Sequence, residues 1–523
     1  MLNPEFLASL PEAILKLFYA AERQILVDMA RKIVKYDYYV PSAEYQRQKL
    51  REAGVMQDEI LTALAKLTRR SEEELRQMMQ EACGTSLRGD TAIYEAAGLT
   101  VPSIGDNGIL RQILNAGYKA TAQTMRNLCK TTARTAAQQF ENALDGAWLK
   151  VHSGAFDSET AIRSAIKDLS QKGIQAIRYP SGRTDSLETA VRRAVVTGVN
   201  QTSAQLQEEL ADELDCDLVE VSAHAGARPE HAVWQGRIFS RSGTHPKYPD
   251  FRAATGYGRV DGLCGANCRH TFGPYIEGSP PVWSEEELKK LDDPKYEYNG
   301  RKLTEYEASQ IQRNNERQIR RWQREYAAME AAGLDTSEAA ANLRIWQDRQ
   351  SDFIKITGAS RQYDRETSIG FDWNQASSAS ALGDTLVEKA NELFSLGSTE
   401  ENLRMYLKEK SVIDTLESYG VQYIRRISDS EIIVNAGKPH ISGESFHAIE
   451  NQITRPDRRD MTVEHAQSFV DNAKLTIYQS NRDTIKFLAQ DGYAVLNSQH
   501  ELVTAVPQKW RKKYDKYLGG DSV

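Results

Sequence analysis

Gly262-Leu263-Cys264-Gly265-Ala266-Asn267-Cys268-Arg269-His270 is the stretch on which the reading of this chain turns, together with Ser222-Ala223-His224-Ala225-Gly226-Ala227-Arg228-Pro229-Glu230-His231 upstream of it. Thiolates and imidazoles in clusters can hold tetrahedral zinc. Cys264, Cys268 and His270 fall in one Gly-rich loop flexible enough to wrap an ion, and His224 or His231 could complete a set. Against zinc, the CxxxCxH spacing is not that of a standard finger, and no second CxxC occurs. A free cysteine also behaves as a small buried hydrophobe, so a metal-free, hydrogen-bonded loop is the other reading. The surrounding region from His224 to Pro281 is rich in Gly, Pro, His and aromatic residues and is too long for a passive connection. Asp217 to Ser222 before it reads as a strand, which gives a small α+β module over 216–282.

Outward from this module the chain reads as helix. Apolar residues at helical spacing run from Leu10 through Val34, with Ser9 as a candidate N-cap. Further helices are expected over Glu44 to Arg69, Ser71 to Ala82, Ile109 to Leu149, Glu159 to Lys172 and Asp185 to Leu214, all within a helical region 1–215. After the module, 283–367 reads as a charged helical hairpin, preceded by a β-hairpin around Asn299-Gly300. In its first helix Ile311, Asn315, Ile319, Trp322, Tyr326 and Met329 share a stripe, and Arg317, Arg320, Arg321 and Arg324 fall off it. The Ser- and Gly-rich stretch Ser368 to Gly383 reads as a linker, within a connecting segment 368–411. A final α+β module, 412–518, ends in a three-stranded meander over Ile485–Leu488, Tyr493–Leu496 and Glu501–Val506. The fold class expected is mainly α, with a small α+β module and a C-terminal α+β module carrying an antiparallel sheet.

Bulk properties narrow the function. The chain has 523 residues, and domain scaling suggests roughly three or four units. A net charge of −7 argues against coating DNA through the overall field, although a local basic patch remains compatible with it. No apolar run approaches the roughly 18 residues of a membrane span, and the first residues do not read as a signal peptide. Five cysteines, an odd and sparse set, fit a reducing cytoplasm and not a disulfide framework. No Walker A loop, dinucleotide glycine pattern, HExxH or GxSxG occurs, so ATPase, packaging-motor and hydrolase classes gain no support.

The runs His224 to His231, Trp234-Gln235-Gly236, Ala254 to Gly258 and Leu263 to Phe272 resemble the phage minor capsid protein 2 family, within the wider group of Mu F-like head morphogenesis proteins. Glu316 to Trp322 is similar to that family's following charged helix, and the resemblance covers roughly Leu2 to Phe371. It implies a structural protein of a tailed-phage virion, made in the host cytoplasm and present in a few copies near the portal or inside the head. Portal and capsid proteins, and phage DNA, would be its partners, and head assembly or DNA delivery its role.

The C-terminal order of helix, Arg-rich turn, helix and meander, over roughly Glu431 to Lys516, is similar to the barnase/EndoU/colicin/RelE-like nuclease group. That resemblance implies metal-independent cleavage of an RNA substrate. His447 would move protons, Arg458 or Arg459 would hold phosphate, and Thr504 would supply a hydroxyl, with Lys438 and His440 as further candidates. Glu450-Asn451 stand where a basic residue often follows the His-Ala pair, a departure from the group. The bland reading leaves His447 on a solvated helix face and the arginines on a solvated turn. Three functions are thus on the table: a virion structural protein with a tethered module, a virion-delivered RNase, and a metal-binding scaffold of non-phage origin.

Overall fold

The computed structural model describes residues 1–154, 156–367, 371–394, 399–454 and 461–518. They divide into two compact units, Met1–Ala381 and Leu382–Val523. The fold class is the one expected, mainly α with α+β parts.

The first unit opens with α1 (Pro4–Ser9), α2 (Glu12–Lys35), α3 (Ser42–Ala96), α4 (Gly108–His152) and α5 (Ser158–Lys172). Asn3, not Ser9, is the first cap: its side chain accepts from the Glu5 and Phe6 amides, while Ser9 ends α1 by donating to Phe6 O. α3 is one rod where two helices were expected. Its buried positions Tyr45, Lys49, Ala53, Met56, Ile60, Leu64, Thr68, Ser71 and Leu75 keep one stripe without a break. Nothing between Arg69 and Ser71 stops a helix, and both hydroxyls bond within it: Thr68 Oγ1 donates to Leu64 O and Ser71 Oγ to Thr68 O.

A short antiparallel pair, β1 (Gln175–Arg178) and β2 (Thr184–Ser186), leads into α6 (Leu187–Glu213), capped by Ser186. α6 buries residues around most of its circumference, which marks it as an internal helix. It crosses α4 where each helix sets a glycine against a threonine of the other: Gly117 lies against Thr202, and Gly198 against Thr121. Each threonine also donates to the glycine carbonyl one turn earlier, Thr121 to Gly117 O and Thr202 to Gly198 O. The main core, with Phe18, Leu64, Met79, Met125, Phe140 and Val195, fills the space between these helices.

The small module follows as β3 (Leu218–Val221), α7 (Pro229–Ala232), β4 (Ile238–Ser240), α8 (Phe251–Thr255) and β5 (Phe272–Pro274), with β3 central in an antiparallel sheet β4-β3-β5. Next come α9 (Glu285–Leu291), the hairpin β6 (Tyr296–Tyr298) and β7 (Arg301–Leu303), then α10 (Glu305–Ala331), α11 (Ser337–Thr357) and α12 (Tyr363–Glu366). Asn299 and Gly300 both take positive φ, as the tight hairpin turn requires. α10 packs on α2, α5, α11 and α12, which half-buries Arg313, Arg321 and Arg324 and leaves Arg317 exposed. Arg320 is buried in a two-pronged pair with Glu188 at 2.9 and 2.8 Å, and Arg324 reaches Glu22 at 3.6 Å.

The expected linker is helical instead. α13 (Trp373–Phe394) runs through Ser368–Gly383 from Trp373 on, α14 (Thr399–Ser418) follows, and the division between units falls inside α13. The serines there hide a helical stripe of Ala379, Gly383, Leu386 and Ala390, all buried. The second unit continues with β8 (Gln422–Arg426), β9 (Glu431–Asn435), β10 (Gly443–Glu444), α15 (Phe446–Thr454), α16 (Val463–Asp471), β11 (Leu475–Gln479), β12 (Thr484–Leu488), β13 (Gly492–Asn497) and β14 (Glu501–Pro507). The expected meander is β12-β13-β14, inside a seven-stranded sheet of order β10-β14-β13-β12-β11-β9-β8. All its pairings are antiparallel except β10 on β14.

Candidate functional site

The Cys/His loop is forced into shape by its glycines. A Cβ on Gly262 would meet Gly256 O at 2.1 Å, and one on Gly265 would meet Val260 O at 2.4 Å. Cys264 and Asn267 take positive φ between and after them, at 57° and 56°. The loop is then clamped from α6: the Asn200 amide donates to Cys268 O at 2.9 Å and His270 O at 3.0 Å, and the Asn267 amide donates to Thr197 Oγ1.

Of the five expected ligands, three converge. One ligand atom each from His231, Cys268 and His270 lies within 4.8 Å of the others, and all three side chains are buried. Cys268 Sγ is 3.6 Å from His231 Nδ1 and 3.8 Å from His270 Nδ1. The far nitrogen of each ring is also engaged: His231 Nε2 lies 3.0 Å from Asp261 O, and His270 Nε2 3.2 Å from Gln235 Oε1. The other two stand aside. The left-handed backbone at Cys264 turns its thiol toward His270 O at 3.7 Å, and His224 stacks on the His270 ring with centroids 4.5 Å apart. Trp234 closes the apolar side, 4.7 Å from His231 and 4.8 Å from His270 between ring centroids.

Burial dominates the electrostatics. It pushes His270 down to about 2 and His224 down to about 4, with the neighbouring arginine and histidine charges adding to it. His231 is lowered for the same reason, and burial raises both Cys264 and Cys268. Burial thus favours the neutral rings, the form in which an imidazole binds a metal, and a metal would displace the thiol proton.

One wall of the cluster opens into a cavity of about 440 Å³ lined by His224, His231, Cys268 and His270 and by seven arginines from α6, α10, α12 and the module's loops. The sequence reading missed this convergence. The arginines of α10 were visible, but Arg192, Arg228, Arg269 and Arg365 are scattered singly along the chain.

In the second unit, His447 lies near the start of α15 with most of its side chain exposed, and Glu450 lies 3.8 Å from its Nδ1. Thr504 sits on β14 opposite Val495. Arg458 and Arg459 lie outside the described residues. Lys438 donates to Asp471 O, and His440 is exposed.

A "Structural protein" of Lactococcus phage LL-H is 27% identical over 246 residues, covering 44% of this chain and 62% of that relative. A "Structural protein" of Lactococcus phage mv4 is 36% identical over 126 residues, covering 23% of this chain and 93% of that relative. The chain thus spans less than two thirds of the length of the LL-H protein. No solved structure matches the chain. The family described as Phage minor capsid protein 2 matches residues 2–355, which takes in the helical body, the Cys/His module and nearly all of the charged hairpin. On that match, more than half of its length, this chain belongs to the Phage minor capsid protein 2 family.

Proposed function

We propose that the chain is a minor structural protein of the phage head, seated near the portal by its first unit, and that residues 382–523 travel with it as an appended unit. The observation that carries this reading is where the family match stops. It ends at residue 355, inside the unit Met1–Ala381, and the unit Leu382–Val523 has its own seven-stranded sheet beyond it. Mass spectrometry of gradient-purified particles, followed by cross-linking to the portal, tests it. The chain should be a low-copy component with cross-links from residues 1–381 to portal protein. Its absence from washed particles would refute the structural role, and cross-links confined to the tail would refute the location.

The Cys/His cluster is proposed to bind zinc through Cys268 Sγ, His231 Nδ1 and His270 Nδ1. Zn–S of about 2.3 Å and Zn–N of about 2.0–2.1 Å at a tetrahedral angle place sulfur and nitrogen about 3.6 Å apart. The two Sγ–Nδ1 distances, 3.6 and 3.8 Å, match that edge. Asp261 O and Gln235 Oε1 are placed to accept from the far ring nitrogens, the usual way a ligating imidazole is oriented. Elemental analysis of the purified full chain should find one zinc, lost in Cys268→Ser and kept in Cys264→Ser. Metal-free wild type, or equal loss in both variants, would count against these three ligands.

An RNase reading of the second unit has one supporting contact. The Ser445 amide donates to Leu502 O at 2.9 Å, so α15, which carries His447, starts beside the strand that carries Thr504. RNA cleavage by the full chain that His447→Ala abolishes would support it, and turnover unchanged by that substitution would remove it.

A further inference from the structure

The arginine-lined cavity has a charge imbalance that the protein itself does not resolve. Seven arginines and two glutamates line it. Arg320 is neutralised by Glu188, and Arg192 and Arg365 share Glu12 at 2.9 and 3.2 Å. Arg228 and Arg269 donate to the neutral carbonyls Ala266 O and Gly226 O. Among the described residues, no carboxylate is hydrogen-bonded or ion-paired to Arg313 or Arg317. The seven lining arginines exceed Glu188, Glu316 and Glu12 by four, with Glu5 acting on Arg269 from outside the lining. Burial and the charges of Arg365, Arg192 and Arg317 push the Arg313 guanidinium below its ordinary value, with Glu316 opposing them. Guanidinium groups held this close in a half-buried space repel one another unless an anion sits among them.

We propose that this cavity is a phosphate site, taking a small molecule that carries a phosphate or pyrophosphate group against Arg269, Arg313, Arg317 and Arg365. Planar guanidinium forks pair bidentately with phosphate oxygens, and a multiply charged anion offsets a surplus of four where a single carboxylate would not. The first turn of α6, with Ser186 and Thr189, also lines the cavity, and the positive end of a helix favours an anion there. A recess of about 440 Å³ falls in the size range of small-ligand sites and is far too narrow to admit a DNA duplex.

Calorimetric titration of the full chain, in chloride buffer free of sulfate, tests this with sodium pyrophosphate, inorganic phosphate and a nucleoside diphosphate as probes. One equivalent of pyrophosphate should bind saturably. Arg313→Gln combined with Arg317→Gln should weaken it about ten-fold or more, with zinc content per chain unchanged. Arg317 is exposed, so Arg317→Gln alone leaves the fold intact and should give a smaller loss in the same direction. Tighter binding of the nucleoside diphosphate than of pyrophosphate assigns a phosphate ester as ligand, and the reverse assigns the free anion. No saturable binding of any probe overturns the proposal, as does binding that both variants leave intact. Binding of a DNA duplex that the variants weaken but pyrophosphate does not displace also overturns it. The zinc assay reads a different group of side chains, so failure of the metal reading and failure of this one are told apart.

Discussion

Replacing Gly117 by alanine should destabilise the first unit, against the sign that helix propensity alone would give. In the interior of a helix, alanine is favoured over glycine by about 0.8–1.0 kcal/mol. At this position the new Cβ would lie 2.1 Å from Thr202 Oγ1, 2.6 Å from its Cγ2 and 2.9 Å from its Cβ. Carbon contacts are comfortable near 3.5–4.0 Å, so the overlap with the first two atoms is on the order of 1 Å. Thr202 cannot swing away freely, because its hydroxyl donates to Gly198 O at 2.7 Å. Relief therefore means losing that bond or separating α4 from α6, and overpacking of this kind costs about 1–3 kcal/mol. Set against the propensity gain, the net effect is a loss of about 0–2 kcal/mol. Urea unfolding followed by far-ultraviolet circular dichroism, with the first unit's transition fitted, reads it directly. Thr202→Ala removes the two closest atoms, so the pair Gly117→Ala and Thr202→Ala should be less unstable than the two single losses add up to. A Gly117→Ala protein more stable than wild type would refute the close crossing of α4 and α6.

Glu325 is buried on α10 and its carboxyl is raised from 4.5 to about 7, mainly by burial, with Glu338 adding to it and Lys167 and Arg321 opposing it. A raised carboxyl stabilises the fold below its unfolded value and loses that contribution as pH climbs through its folded value. Stability should therefore fall between about pH 4.5 and 7, by an amount on the order of 3 kcal/mol from this group. Glu325→Gln should flatten that slope, measured as urea midpoints at pH 5 and 8; identical slopes would contradict it. Glu188→Ala leaves Arg320 buried without its carboxylate and should cost about 3–5 kcal/mol, readable as a lower thermal midpoint of the first unit. Asn200→Asp swaps the two donor bonds to Cys268 O and His270 O for repulsion between oxygens. It should lower both the stability of the first unit and its zinc content, and retention of both would show that the loop holds itself.

Long periodic helices were legible because a 3.6-residue repeat needs no knowledge of the partner. α4, α5, α6, α10 and α11 all lie where their stripes place them. The break expected after Arg69 is absent, since Thr68 and Ser71 satisfy their hydroxyls inside one continuous helix. The linker reading fails for a similar reason: Ser377, Ser378 and Ser380 are exposed residues of α13, spaced among buried small and apolar ones. The burial of Arg320 was not legible, since its partner Glu188 lies 132 positions away. Five metal-ligand candidates were visible in the sequence, but the left-handed turn at Cys264, which accompanies its thiol standing aside from the three that meet, was not. A list of residue types does not contain that turn.

The bond from Asn200 to the cysteine loop has a genetic consequence. Few side chains offer two N–H donors on so short a stem: glutamine is longer, serine has one donor, and aspartate has none when ionised. The amide and the carbonyl it serves lie 68 positions apart in the chain. A crossover between these two points would join an α6 from one parent to a loop from the other. Such a hybrid is sound only when both parents carry the same lock and the same key, so viable exchanges would move the segment 200–270 as one piece.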